Sequence, residues 1–324
     1  MEYRCIISNK SELLENEIEK FRKDGYYVVC IETSFGKKLV EGDLTLDHHH
    51  PTKINDPCPC LYPNLDLGEK KEKIVICLSH MDLDTLGGIF SVLSKKDDKQ
   101  KKFWEIAAQI DIKGPHKLQD ILNKIQDKNK KEEIKKQMFA FWAYSQANRI
   151  VPKGIEDITP KINEYIDILN KILKNDNKLI EKGLRLKNET DKLNKESLKS
   201  VKKIGGTYVL LRESDRFVNH LYNYEGGIAH YIIGYNYIIG NITISKESKE
   251  LPLDLAKVMQ YIFGPKAGGH SYIAGSPRDL KIEEEEKDKY INQIKKFFED
   301  VLPSYELWKI KKKIINEFAF AIAN

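Results

Sequence analysis

The segment LDHHHP at 46–51, three consecutive histidines after an aspartate, is the densest group of potential metal ligands in the chain. A second group, SHMDLD at 79–84, adds His80, Asp82 and Asp84. Imidazole and carboxylate in one mixed site suit Mn²⁺, Fe²⁺ or Zn²⁺ better than Ca²⁺. Several carboxylates brought together repel one another unless cations sit between them. Two such cations about 3.5–4 Å apart bind phosphoryl oxygens and activate water, the common arrangement for phosphate-ester hydrolysis. The bland alternative is a pair of surface loops with incidental histidines. Two independent clusters at two strand ends weigh against it.

Each cluster follows an apolar run, 43–46 and 73–78. Parallel strands present their C-terminal ends along one sheet edge, where ligands bind. That edge is expected to receive Asp47, His48 and His49 from one strand and His80, Asp82 and Asp84 from the other. Residues i, i+2 and i+4 of an extended segment face the same way, so the last three are expected to point into one site. Strands at 3–8, 26–33, 43–50 and 73–80 alternate with helical patterns at 11–25 and after 84, which predicts an α/β domain with a mostly parallel sheet over 1–117. The Lys-rich segment 118–200 carries apolar residues at helical spacing and reads as a helical insertion or linker. From 201 to 324 a β-rich stretch precedes further helices, including one through ELWKIKKKIINEFAFAIAN, so a smaller α+β domain is expected.

The chain has 324 residues, 41% of them hydrophobic and 10% aromatic, enough for packed cores and unlike a disordered segment. The formal charge of +5 suits a polyanionic substrate without establishing one. Five cysteines, an odd number in a chain of this size, read as reduced thiols of a cytoplasmic protein. The N-terminus lacks a signal-peptide pattern, and no apolar run is long enough for a membrane span. Cys58-Pro-Cys60 has no second pair, which makes it a weak zinc signal; two reduced loop thiols are the expectation there. His220 and His230 lie in strand-like surroundings and read as structural, while His50 and His116 read as neighbours of the site or as surface residues.

LDHHHP together with SHMDLD resembles the DHH phosphoesterase superfamily, which includes RecJ-like exonucleases, oligoribonucleases, cyclic-dinucleotide phosphodiesterases and family II pyrophosphatases. WEIAAQIDIKGPH resembles that family's fourth motif, a helix ending at a metal-binding aspartate, here Asp111. Gly268-Gly269-His270 followed by Ala274-Gly275 is similar to the glycine-rich turn of the DHH-associated C-terminal domain. The resemblance covers both ends of the chain and leaves the helical middle unmatched. It implies that His48, His80, Asp82, Asp84 and Asp111 bind metal. It also implies that His49 sits nearer the substrate phosphate and that Asp47 orients the histidines or ligates. Gly268, Gly269 and His270, with Arg278 nearby, would hold a phosphate or terminal group. The chain departs from the family in motif order, because its HxDxD motif follows the DHH motif. A rearranged sheet is therefore expected, with Glu32 as the best-placed substitute for the family's bridging aspartate.

The expected function is metal-dependent hydrolysis of a nucleotide-containing phosphodiester by metal-activated water. Candidate substrates are a short oligonucleotide, a single-stranded nucleic-acid end (a nuclease activity) or a cyclic dinucleotide. The expected cofactor is Mn²⁺, two ions, with Mg²⁺ as the alternative. The expected partners are the substrate and no membrane, with a homodimer as one option for assembly. The competing expectations are a catalytically weakened nucleotide-binding protein and a phosphomonoesterase or pyrophosphatase.

Overall fold

A computed structural model describes residues 2–35, 38–50, 52–53, 55–67, 72–277 and 280–304. Arg278 and the C-terminal segment 305–324, expected to be helical, lie outside the described residues. The chain divides into two compact units, 1–187 and 188–324.

The first unit is built on a five-stranded sheet. Strands β1 (Glu2–Ser8), β2 (Tyr27–Ile31), β5 (Leu44–Leu46) and β6 (Lys73–Leu78) run parallel, and β7 (Ile155–Asp157) pairs antiparallel with β1, in the order β5-β2-β6-β1-β7. A small hairpin, β3 (Ser34–Phe35) and β4 (Lys38–Leu39), stands between β2 and β5. The near-continuous apolar run of β6 is explained by burial on both sides. Ile6, Val28, Cys30, Val75 and Cys77 pack on one face against Leu14, Ile18 and Phe21 of α1 (Ser11–Lys23). Cys5, Ile7, Val29, Ile31, Ile74, Ile76 and Leu78 pack on the other face with the remaining helices. The pleat's period of two divides these residues between two cores, so the strands read as unbroken hydrophobic runs.

On that second face lie α2 (Leu83–Val92), α3 (Lys101–Lys113), α4 (Leu118–Leu122), α5 (Lys128–Ala147) and α6 (Thr159–Leu173). The segment read from sequence as an insertion thus shares the sheet's own core through Ile121, Ile134, Met138, Phe141, Ile162 and Leu169. It also supplies β7, a three-residue strand too short for a pattern of alternation. Helix α7 (Asn177–Glu196) crosses from the first unit into the second.

The second unit is a six-stranded sheet in the order β14-β15-β13-β12-β9-β8. Its strands are β8 (Leu198–Ile204), β9 (Thr207–Ser214), β12 (Tyr231–Asn236), β13 (Asn241–Lys246), β14 (Gly268–His270) and β15 (Ile273–Gly275), with a small hairpin, β10 (Asn223–Tyr224) and β11 (Gly227–Ile228), beside them. Only β9 and β12 run parallel; the other pairings are antiparallel. Helix α8 (Leu255–Phe263) and a helix over 287–304 cover one face through Val258, Met259, Ile291, Ile294 and Phe298. Among the described residues no helix is long and apolar enough to cross a membrane.

Candidate metal centre

Strands β5, β2 and β6 are adjacent and parallel, so their C-terminal ends open on one edge. Glu32 follows β2, Asp47-His48-His49 follow β5, and Ser79-His80 follow β6. Asp84 comes from the first turn of α2, and Asp111 from the last turn of α3.

Asp47 is fully buried, and its carboxylate fixes the local chain. It accepts hydrogen bonds from Ser34 Oγ at 3.0 and 2.9 Å and from the backbone N–H groups of His49 and His50, each at 3.0 Å. This carboxylate-centred turn aims the two imidazoles that follow. Glu32 has φ of +53°, a left-handed backbone that costs a side-chain-bearing residue about 1 kcal/mol or more. It is held there from both sides: its N–H donates to Leu46 O at 2.9 Å, and Ser79 Oγ donates to its carbonyl.

The side chains converge. His48 Nε2 lies 3.1 Å from Asp111 Oδ2, 3.5 Å from Glu32 Oε1 and 3.6 Å from Asp84 Oδ2. His49 Nε2 lies 2.9 Å from Glu32 Oε2 and 3.9 Å from Asp111 Oδ2. Two sets of ligand atoms arise, Glu32-His48-His49 and His48-Cys58-Asp84-Asp111, each mutually within 4.8 Å. Cys58 Sγ is 3.4 Å from His48 Nδ1. Glu32 Oε1 and Asp84 Oδ2 are buried without a hydrogen bond, while Glu32 Oε2 meets His49 Nε2. Buried carboxylate oxygens with no donor are costly unless a cation takes them up, so this donor set fits divalent metal.

The protonation states point the same way. Burial drives the Glu32 carboxyl above its ordinary value, with His49 opposing. Burial also pushes Asp84 up to about 7, against hydrogen bonds from Cys60 and with repulsion from Asp111 and Glu32 adding to the rise. His49 is raised to about 9, chiefly by its contact with Glu32. For His48, burial acts downward, but Asp111, Glu32 and Asp84 outweigh it and the imidazole is raised. Without a cation, these acids and imidazoles share protons in its place.

His80 and Asp82 are placed differently. Helix α2 begins at Leu83, with Asp82 as its N-cap accepting from Thr85 N at 2.8 Å. The extended spacing expected through 80–84 ends there, because the helical turn rotates Asp84 inward and leaves Asp82 at the mouth. His80 Nε2 pairs with Asp82 Oδ2 at 3.3 Å, both side chains being nearly half exposed, and neither belongs to the two ligand sets. Burial acts upward on Asp82, but the His80 contact and the Thr85 amide prevail and lower it to about 2.

Gly268, Gly269 and His270 form β14 in the second unit. Both glycines have positive φ, +154° and +145°, and a Cβ on Gly269 would sit 2.5 Å from Ile273 O, so that position requires glycine. The His270 ring is exposed and stacks on Tyr272 with centroids 5.3 Å apart.

Sequence reasoning read Cys58 as a reduced loop thiol outside the site, and it missed a cavity. Cys58 enters the cluster because the 3-10 turn Pro59–Leu61 presses on α2 at Gly87 and Gly88. The pairing of CPC with GG was the available signal, legible only once these segments are known to touch. The cavity, of about 400 Å³, lies beside Asp84 and Asp111, walled by Phe141 and Trp142 of α5, Arg149 just beyond it and Tyr165 of α6. Its aromatic residues fall among core residues at helical spacing, so nothing in the pattern separates wall from core.

No protein-family model matches the chain, and no curated protein matches it. Among solved structures, the pGpG-specific phosphodiesterase PggH of Vibrio cholerae is similar at 11% identity, covering 84% of this chain and 98% of that chain, with a TM-score of 0.41. An uncharacterized protein from Helicobacter pylori G27 is similar at 12% identity, covering 93% and 98%, with a TM-score of 0.23. Neither likeness assigns a role to any residue.

Proposed function

We propose that this chain is a metal-dependent phosphodiesterase acting on a nucleotide-containing substrate. The observation that carries the reading is the convergence of the buried Glu32 and Asp84 carboxylates, Asp84 Oδ2 without a donor, on His48, His49 and Asp111. Divalent cations, Mn²⁺ or Mg²⁺ in the DHH-like reading, would be held by the two ligand sets, which have His48 in common. Bound there, they would supply Lewis acidity at phosphoryl oxygens and a water of lowered pKa. His49, with a side chain 43% exposed, is the most open of the converging ligands and would face the substrate phosphate beside the cation it helps to hold. Asp47 orients both imidazoles from behind. Trp142, Phe141 and Tyr165 offer an aromatic lining to a base, and Arg149 a cation to its phosphate. That aromatic wall favours a nucleotide over inorganic pyrophosphate.

The test is a panel of short oligoribonucleotides, cyclic dinucleotides, single-stranded DNA and pyrophosphate, with Mn²⁺, Mg²⁺ and Zn²⁺ in turn. Product is expected from a nucleotide diester, and Asp84→Asn should lower the rate by about a thousandfold or more, as for loss of a cation ligand. Base–aromatic stacking is worth about 1–3 kcal/mol. Trp142→Ala should therefore raise KM roughly tenfold on the nucleotide while sparing a small aryl phosphodiester. No product with any ion would overturn the activity. Preference for pyrophosphate, or an equal Trp142→Ala effect on both diesters, would overturn the substrate class.

A further inference from the structure

We propose that the Cys58 thiolate is a metal ligand, completing a four-membered set with His48, Asp84 and Asp111 that prefers Zn²⁺ to Mn²⁺. The proposal rests on the reading of the cluster as a metal centre and deepens it by naming the ion. Four distances carry it. His48 Nε2 lies 3.7 Å from Cys58 Sγ, 3.1 Å from Asp111 Oδ2 and 3.6 Å from Asp84 Oδ2, and Sγ lies 4.0 Å from Asp111 Oδ2. Zinc held at its ordinary distances to sulfur, nitrogen and oxygen makes a tetrahedron with edges of about 3.3–3.6 Å. These four edges lie close to it, and all four ligand atoms are mutually within 4.8 Å.

An independent observation points to the same ligand. Asp84 is 3% exposed, and its Oδ2 has no hydrogen-bond donor although Oδ1 accepts from the Cys60 N–H at 2.9 Å. One oxygen is thus used to fasten the cysteine-bearing turn, and the other is left aimed at His48. The turn is pinned from behind as well. Lys96 Nζ donates to Cys60 O at 2.7 Å, and to Tyr62 O and Ser91 Oγ, while standing over the Trp104 ring. A cysteine held this tightly beside a buried imidazole and two carboxylates is a preorganised donor. Thiolate is a soft ligand, favouring Zn²⁺ over the oxygen-preferring Mn²⁺. The second set, Glu32-His48-His49, contains no sulfur and has no such bias.

Co²⁺ is the probe, because a thiolate bound to it gives an intense near-ultraviolet charge-transfer band that carboxylate and imidazole do not. The full chain, freed of metal by chelation under reducing conditions and titrated with Co²⁺, is expected to develop this band. Cys58→Ser should abolish it, and Cys60→Ser should keep it. Competition titrations should show the ratio of Zn²⁺ to Mn²⁺ affinity falling at least tenfold in Cys58→Ser. The wild-type spectrum needs no variant to fold: absence of the band overturns the proposal. So does a band lost in Cys60→Ser and kept in Cys58→Ser, or an unchanged affinity ratio. Hydrolysis without the band would sink the ligand and leave the phosphodiesterase reading standing; the band without hydrolysis would do the reverse.

Discussion

Asp47 is the most informative single residue, because it belongs to neither ligand set yet decides where the cluster's imidazoles go. Three donors converge on its fully buried carboxylate, Ser34 Oγ and the N–H groups of His49 and His50. Deleting the acceptor strands those donors, and a buried donor left unmatched costs about 1–3 kcal/mol. Asp47→Ala is expected to lose about 3 kcal/mol of stability in urea denaturation and to weaken metal binding at least tenfold, whereas Asp47→Asn should recover part of both. An Asp47→Ala protein with wild-type stability and wild-type metal affinity would show that the turn does not position His48 and His49. Asp47 was legible in the sequence as a residue that orients the histidines or ligates, but which of the two was not. That role depends on Ser34, which lies thirteen positions earlier on a two-residue strand with no pattern of its own.

At the scale of elements, the parallel strands were readable because burial on both faces writes a continuous apolar run, as in KIVICL. Placing Glu32, Asp47 and His80 at strand ends followed from that alone. What could not be read was how each segment continues beyond its strand. Asp82 caps α2 and Asp84 turns inward on it, so a spacing that looks extended is half helical. Likewise, the 59–61 turn approaches α2 closely enough that a Cβ on Gly87 would lie 2.3 Å from Cys60 Cβ and 2.7 Å from Cys60 Cα. Backbone cannot yield as a side chain can, so Gly87→Ala must push the turn away. The expected cost is about 2–3 kcal/mol from overpacking, with Cys58 displaced from His48. Measured by chemical denaturation and by Co²⁺ titration, Gly87→Ala should lower both stability and the thiolate band. A variant as stable as wild type with its band intact would mean that the turn does not hold Cys58 in place.

For the whole molecule, the cluster couples metal to folding through protons. Asp84 is near 3.8 when unfolded and is raised to about 7 in the folded chain, so between those values the folded state holds a proton the unfolded state lacks. Stability contributed by this proton is present at low pH and is lost as pH rises through 7. His49 moves from 6.5 to about 9 and loses its contribution as pH rises through 9, in the same direction. Buried Glu32 is shifted upward too. His220, lowered by desolvation and by the nearby Arg212, acts oppositely below about 6.5. Asp84→Asn therefore serves as the reference that cancels it. Relative to that variant, the metal-free wild type is expected to lose Tm from pH 5 to about pH 7 and to level off above it. Cations bind the deprotonated ligands, so added metal should raise the wild-type Tm most at pH 8–9 and least near pH 5. Calorimetry across that range, with chelator and then with Zn²⁺ or Mn²⁺, checks both slopes. A metal-free Tm difference that stays flat, or a metal-induced gain that shrinks as pH rises, would mean that the buried acids do not hold the protons this cluster assigns them.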